Sequence, residues 1–541
     1  MKISIPVLSV ISCLLLLLHS CKKESAKNAA QQQGSNLRLT DTRPPGEEMR
    51  GIVPTGAYRI VTDITYSSGK QTLSVVGGAV PDGAKIEQRD YVPGTGQEWV
   101  AQSMGNNEYL LVNTNSGKAL QVPVSYEPGV QLEQKVLNAN LPNQRWIGKY
   151  LGDGIYQVRS KLNPELGVNV ESDTAKNGAK ITLNTLTNRR SYFLLYRTGY
   201  KDVVATHFFQ RKTGWVAGDG GYSIPLQNNK VLWTFGDSYL DTYNEANNTL
   251  PCIYSINNAT ILQQKNNWTP DDGLTITGTG TKKTLFKDGT KSIYWPVSGF
   301  QLKDTVYVFT AGLMPDTGPG NWNGWSPTKY DIMYKMKYPE MTLAGYKVLD
   351  QDFGKYNFGI GFVKDDASGY MYVYGHTTIF LENSVHVARF PISNPDAKWT
   401  FWDGSKWVSD VNKVATIGIG DSPGVSVCKV KDKYVMLSTE ITFECDNGKR
   451  IFSAVSNSIT GPFSQRKAIY TIPDIYQGHT PLFYVPSGHP EYVNDRDELL
   501  ITYAISGYAP CVPLCVNGRS IRDHYTVKAA RIPLKMIDPT F

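Results

Sequence analysis

Apolar and polar residues alternate in short runs over most of this chain, and the three-to-four spacing of an amphipathic helix is nowhere sustained. Alternation of period two marks half-buried strands. It begins near residue 54 and passes through three similar stretches. The first has Gly56-Ala57-Tyr58-Arg59-Ile60, Gln71-Thr72-Leu73-Ser74-Val75 and Gly83-Ala84-Lys85-Ile86-Glu87-Gln88, and closes on Gln97-Glu98-Trp99. The second has Tyr109-Leu110-Leu111, Ala119-Leu120-Gln121-Val122 and Gly129-Val130-Gln131-Leu132, and closes on Gln144-Arg145-Trp146. The third has Ile155-Tyr156-Gln157-Val158, Gly167-Val168-Asn169-Val170 and Gly178-Ala179-Lys180-Ile181, but ends in Ser191-Tyr192-Phe193. No single unit of this size buries a face alone, so the three are expected to close on one another.

From about residue 203 a second all-β region follows, with strand-like runs at Lys230 to Phe235, Ser298 to Leu302, Val306 to Thr310, Tyr370 to Tyr374, Val385 to Phe390, Tyr434 to Ser438, Phe452 to Ser456 and Leu499 to Tyr503. Gly, Asp, Asn and Pro crowd the segments between them, as in sheets stacked by turns. Five four-stranded blades of about 67 residues each would fill the region.

The start of the chain has a different pattern. Lys2 precedes an apolar run that culminates in Leu14 to Leu18, which is too short to span a bilayer comfortably and reads as a signal peptide. Residues 22 to 50 are polar and nearly free of aromatics, so they read as a tether. The expected organisation is a signal over 1–21, a tether over 22–52, the threefold domain over 53–198 and the longer domain over 203–541.

A net charge of +7 over 541 residues is mild, and the only basic block is Lys22-Lys23, so nothing supports nucleic-acid binding. A monomer is expected. Of seven cysteines, Cys13 lies in the signal and Cys21 at its end. Cys252, Cys428, Cys445, Cys511 and Cys515 remain, an odd number, with Cys428–Cys445 and Cys511–Cys515 the pairs close enough in sequence to suggest disulfides. Neither pair has metal-site company.

Chemistry concentrates in Gly214-Trp215-Val216-Ala217-Gly218-Asp219-Gly220-Gly221-Tyr222-Ser223 and Leu232-Trp233-Thr234-Phe235-Gly236-Asp237-Ser238. Asn228-Asn229 between them tolerates the positive φ of a tight hairpin turn. With residue 227 opposite 230, Asp219 faces Ser238 beside Asp237, and both carboxylates lie at one mouth of the hairpin, on the order of 5 to 8 Å apart. That range overlaps the spacings of retaining and inverting glycosidases. Gly218, Gly220 and Gly221 are the positions where the register can break. An aspartate between glycines is by itself a turn former, but two at the same end of one hairpin, flanked by Trp215 and Trp233, read as a pair of acids.

Three resemblances add to this reading. Leu18 three residues before Cys21, with Ser20 immediately before it, resembles the lipobox of bacterial lipoproteins, from which His19 departs. It implies a lipidated Cys21 and a membrane anchor, and a place in the cell envelope on the outer membrane, at the cell surface or its periplasmic face. The Gln-x-Trp elements and matching strands resemble the ricin B-type β-trefoil of lectins and family-13 carbohydrate-binding modules. In its sugar-binding copies an aspartate stands where this chain has Ser74, Gln121 and Asn169. Asn169 retains the capacity to bond a sugar, while Trp99 and Trp146 are expected in the core.

Gly-Trp-x-x-Gly-Asp-Gly followed by Leu-Trp-x-Phe-Gly-Asp-Ser resembles the start of five-bladed propellers grouped as domains of unknown function of the 4185 and 5005 types, one branch of which contains endo-D-arabinanases. That resemblance implies a catalytic pair at Asp219 and Asp237 and hydrolysis of a polysaccharide, an arabinan or related furanose polymer being the first substrate suggested. It also draws in Glu440, at the end of the strand Val435 to Thr439, as a further acid. Tyr222, Trp215, Trp233 and Trp295 become candidate sugar contacts, with His376 and His479 lining the axial pocket. Such hydrolysis requires no cofactor, although the channel of such propellers has room for a structural cation. The expected partners are a polysaccharide or oligosaccharide and, through the anchor, a membrane. The alternative is a glycan-binding surface lipoprotein without catalysis. The expected fold class is all-β, a β-trefoil followed by a five-bladed β-propeller.

Overall fold

A computed structural model describes residues 56–541, apart from 66–70, 93–95, 125, 153–154, 187–188, 280–282, 319–323, 350, 352, 380, 422–423, 441–445, 447, 473, 508–511 and 514. The signal, Cys21 and the tether lie outside the described residues.

The N-terminal domain is a β-trefoil. Its barrel is a closed ring of six antiparallel strands in which Gly56–Thr62, Glu98–Gly105, Glu108–Asn113, Arg145–Gly152, Ile155–Ser160 and Phe193–Arg197 each pair with the next, and the last returns to the first. The hairpins Gln71–Val75 with Ile86–Asp90, Ala119–Gln121 with Glu133–Lys135, and Leu166–Val170 with Ala179–Thr185 complete it.

The Gln-x-Trp signature has a physical role in this closure. Trp99 and Trp146 are buried, and each indole N–H donates to a backbone carbonyl 26 residues earlier, Leu73 and Leu120. The glutamine two residues before each Trp bonds the loop it follows, Gln97 through Asp90 and Val92, Gln144 through Val136 and Asn138. In the third copy Phe193 fills the Trp position without an N–H, and Ser191 takes a bond from Gln157.

The second domain is a ring of five blades. Blade I comprises Trp215–Leu226, Lys230–Leu240, Ala259–Gln264 and Leu274–Ile276; blade II, Ile293–Leu302, Thr305–Pro315, Ile332–Lys337 and Thr342–Val348. Blade III comprises Asn357–Asp365, Tyr370–Ile379, Glu382–Pro391 and Thr400–Trp402; blade IV, Val425–Val430, Lys433–Thr439, Arg450–Ser456 and Lys467–Thr471. Blade V has three strands from the C-terminal end, Leu482–His489, Glu498–Ser506 and Tyr525–Pro533, and takes its fourth, Tyr200–Lys201, from just after the trefoil. That closing strand lies ahead of residue 203, where the sequence pattern placed the start of the domain.

Five apolar cores separate neighbouring blades, holding Leu232 and Tyr334 between I and II, Phe309 and Phe358 between II and III, Tyr374 and Met436 between III and IV, Leu437 and Ile501 between IV and V, and Leu500 and Trp233 between V and I. A disulfide joins Cys252, in the loop after the second strand of blade I, to Cys515, in the loop of blade V, with Cα atoms 5.2 Å apart. This corrects the pairing expected from sequence. Cys428 is free, and Cys445 and Cys511 lie outside the described residues.

Candidate functional site

The hairpin of blade I differs from its expected register by one residue: Leu226 pairs with Lys230, around a turn in which Asn228 and Asn229 take φ of 56° and 55°. Bulges between Gly218 and Tyr222, with Gly220 at φ 97° and Gly221 at φ 86°, shift the pairing by one residue and back again, so the one-residue difference persists beyond them. Gly218 therefore faces Ser238, and Asp219 lies against Gly236, where a Cβ would collide with Asp219 Oδ1. Both aspartates reach the same mouth of the hairpin.

The groups around them come from three blades. Asp237 is 1% exposed, and its Oδ1 accepts from Asn257 Nδ2 at 3.1 Å and from Trp295 Nε1 at 3.2 Å. Tyr254 also bonds it. Asp219, half-buried, accepts through Oδ2 from the Tyr484 hydroxyl at 3.2 Å and bonds Tyr525. Tyr484 is aimed by a bulge in the inner strand of blade V where Val485 has φ 53°. A β-branched residue in that region carries strain on the order of 1–3 kcal/mol, which surrounding structure must hold in place.

Burial pushes the Asp219 carboxyl up to about 6, against the opposing pull of Tyr525 and Tyr484. Burial, and then the charge of Asp219, push Asp237 well above the ordinary carboxylate range. Burial likewise keeps Tyr484 and Tyr254 protonated as donors. Two interacting carboxyls with raised pKa values, each held by neutral donors rather than by a cation, are suited to storing and transferring one proton near neutrality.

The remaining sequence candidates have other places. Trp215 and Trp233 are 0% exposed, which corrects their reading as sugar contacts. Trp215 stacks on Phe235 at 4.1 Å and bonds Ser238, while Trp233 stacks on Tyr492 and bonds Gln263. They brace the strands that carry the pair. Tyr222 is half-buried opposite Thr234, and half-buried Trp295 is joined to Asp237 directly.

Glu440 does not join the pair. Its carboxylate is held by the Arg450 guanidinium and by the backbone N–H of Lys449 and Arg450. Burial works to raise its pKa, but these bonds outweigh it and hold the group below its usual range, the wrong direction for a proton donor. Asp421 is paired with Arg466. His376 lies within the second strand of blade III, where burial and then His386 lower its pKa to about 4. His479 sits in a surface loop and bonds Asp446 Oδ2 at 2.9 Å. Asn169, 4% exposed, spends its amide on the carbonyls of Gly167 and Asn184 within its own hairpin.

Sequence reasoning missed Tyr254, Asn257, Tyr484 and Tyr525. Among the described residues no group of three or more His, Cys, Asp or Glu side chains is arranged to hold a metal ion, and no helix is long and apolar enough to cross a membrane.

The family described as Domain of unknown function (DUF5005) matches residues 202–511, and the Ricin-type beta-trefoil lectin domain-like family matches residues 52–135 and 95–184. Among solved structures, a protein from Bacteroides ovatus described as a putative hydrolase is 18% identical with a TM-score of 0.50, over 62% of this chain and 90% of its own. That likeness is one of fold. The designed threefold-symmetric protein ThreeFoil is 28% identical over 26% of this chain and 97% of its own, with a TM-score of 0.24. An exo-beta-1,3-galactanase from Clostridium thermocellum is 28% identical over 27% of this chain and 31% of its own, with a TM-score of 0.25. No curated protein matches the chain.

Proposed function

The chain belongs to the DUF5005 family, and on that premise we propose that it is an exported, lipid-anchored glycoside hydrolase whose propeller cleaves a polysaccharide near the lectin-like trefoil. The observation that carries the reading is the pair of buried Asp237 and half-buried Asp219, held by Tyr484, Tyr525, Tyr254, Asn257 and Trp295. Asp237, the more deeply buried, keeps the proton and releases it to the leaving oxygen. Asp219, closer to solvent, acts on the anomeric carbon directly or through a water. The phenols stay neutral and orient both carboxyls without fixing either as an anion. Arabinan and related furanose polymers are the first substrates to test.

Export is supported by the Cys252–Cys515 disulfide, a bond that persists in oxidising compartments, and by the lipobox-like residues before Cys21.

The test is release of sugar from arabinans, arabinogalactans and other plant and bacterial glycans by the protein lacking residues 1 to 21, beside Asp219→Asn and Asp237→Asn. Activity that falls by about three orders of magnitude or more in both variants supports the assignment. Activity unchanged in either variant removes that residue from the mechanism. One observation favours the alternative of a glycan-binding protein without catalysis, namely that Asp237 is almost wholly out of contact with solvent. Glycan binding equal in all three proteins, with no sugar released, would decide for it.

A further inference from the structure

The connection from the outer strand of blade I to the inner strand of blade II is described from residue 283 onward, and that part is tied toward the aspartate pair at two points. Near its middle, the backbone N–H groups of Leu285 and Phe286 donate to Asn258 Oδ1 at 2.9 and 2.8 Å, and Asn258 Nδ2 donates to the carbonyls of Phe286 and Tyr294. The adjacent Asn257 donates its backbone N–H to Thr284 Oγ1 and its side-chain N–H to Asp237. At the far end the connection runs into Trp295, the other N–H donor to Asp237. Leu285 and Phe286 are buried, which anchors this part of the connection.

Lys283, Lys287 and Lys291 are exposed, and among the described residues none forms an ion pair. The acid between them, Asp288, is turned inward, accepting from the backbone N–H and hydroxyl of Thr290 and from the Tyr294 hydroxyl. Many other lysines of this chain are matched, as Lys85 is by Glu133, Lys335 by Asp396 and Lys431 by Asp497. Three exposed, unmatched ammonium groups on a connection that is tied to Asp237 through Asn257 and Trp295 raise the local concentration of anions and favour ligands that carry them.

From this we infer that the glycan taken by the propeller is anionic, bearing uronate carboxylates or sulfate esters that lie along Lys283, Lys287 and Lys291 while a neighbouring glycosidic bond sits at Asp219 and Asp237. The cleavage part of this statement rests on the hydrolase reading; the binding part does not. The lysines select the polymer by charge and take no part in bond breaking.

Binding is measured by affinity electrophoresis with the full mature chain carrying Asp219→Asn, so that no substrate is consumed. The probes are polygalacturonate against its fully methyl-esterified form, and dextran sulfate against dextran. The inference requires binding of at least one acidic polymer over its neutral counterpart, weakened about tenfold or more when Lys283, Lys287 and Lys291 are all replaced by Gln and restored when all three are replaced by Arg. Retention of only the carboxylated or only the sulfated polymer identifies the anionic group. Equal binding by the Gln variant, or equal binding of acidic and neutral polymers, overturns the inference. The trefoil is the same in every variant, so its own glycan binding cancels. Lysine-dependent binding without any sugar release by the wild type leaves this inference standing and removes hydrolysis; release from neutral and acidic polymers at one rate does the reverse.

Discussion

At the scale of single residues, the aspartate pair sets a pH signature that activity and stability must share. Both carboxyls have folded values above their ordinary one of 3.8, Asp219 at about 6 and Asp237 higher. The native state therefore holds more protons than the unfolded chain from about pH 4 upward, and stability falls as pH rises through the folded values. Asp237→Asn removes the buried acid and keeps its shape. Its Tm is expected to exceed that of the wild type by about 2 °C or more near pH 8 and to match it near pH 4, as differential scanning fluorimetry can check. Tyr484→Phe deletes a hydroxyl whose bond draws the Asp219 value down. The acid limb of the pH–rate profile is expected to move to higher pH, with the fold intact by circular dichroism. None of the four partners Tyr254, Asn257, Tyr484 and Tyr525 could be read from the sequence. Tyr254 and Asn257 lie in the loop of blade I in surroundings that carry no motif, while Tyr484 and Tyr525 lie far along the chain and only the ring of blades brings them to the pair.

At the scale of elements, the blade I hairpin shows what period-two reasoning reaches and where it stops. The alternation and the Asn-Asn turn gave two antiparallel strands with both acids at one end, and so they stand. The register was one residue out, because a turn centred on two asparagines is compatible with either a two- or a three-residue loop, and Gly218 rather than Asp219 faces Ser238. Gly236→Ala tests that local geometry: its Cβ displaces Asp219 Oδ1, and kcat is expected to fall about a hundredfold with little change in Tm. Trp215 and Trp233 beside the acids suggested sugar platforms, but tryptophans on strands that face a neighbouring blade are more useful buried, and these two fill the seam between blades V and I.

The trefoil carries its own internal control. Phe193 already occupies the third equivalent of Trp99 and Trp146. Trp146→Phe should therefore cost only about 1–3 kcal/mol, chiefly the unmade bond to Leu120, while Trp146→Ala should cost about 3–5 kcal/mol through the cavity it leaves. Urea unfolding of the two variants separates these terms.

At the scale of the whole molecule, closure of the propeller depends on two links between distant parts of the chain. Tyr200–Lys201 supplies the outer strand of blade V, reinforced by Lys201 with Asp474 and Tyr200 with Glu498. The Cys252–Cys515 disulfide spans 263 residues and ties the loop carrying Tyr254 to the loop of blade V. Cysteine pairing at such a separation is invisible to spacing arguments, which favour near neighbours; here the fold alone brings the thiols together. Cys252→Ala is expected to lower stability by a few kcal/mol, within the range of about 2–5 for loss of a native disulfide, and to reduce kcat by loosening the Tyr254 loop, as denaturation and kinetics with and without reductant can establish.

The closing strand also sets an order of events in time. Asp202, which follows it directly, finds its partner Arg531 only 329 residues later. During synthesis the trefoil emerges whole and is complete while the strand behind it still waits for a neighbour that has not been made. Until the final blade arrives, the growing domain presents an open sheet edge, a surface prone to mispairing. A chain cut short anywhere before its last strand would thus display a finished lectin-like head on an unsealed body, and proteolysis would have a structural mark by which to tell incomplete molecules from complete ones.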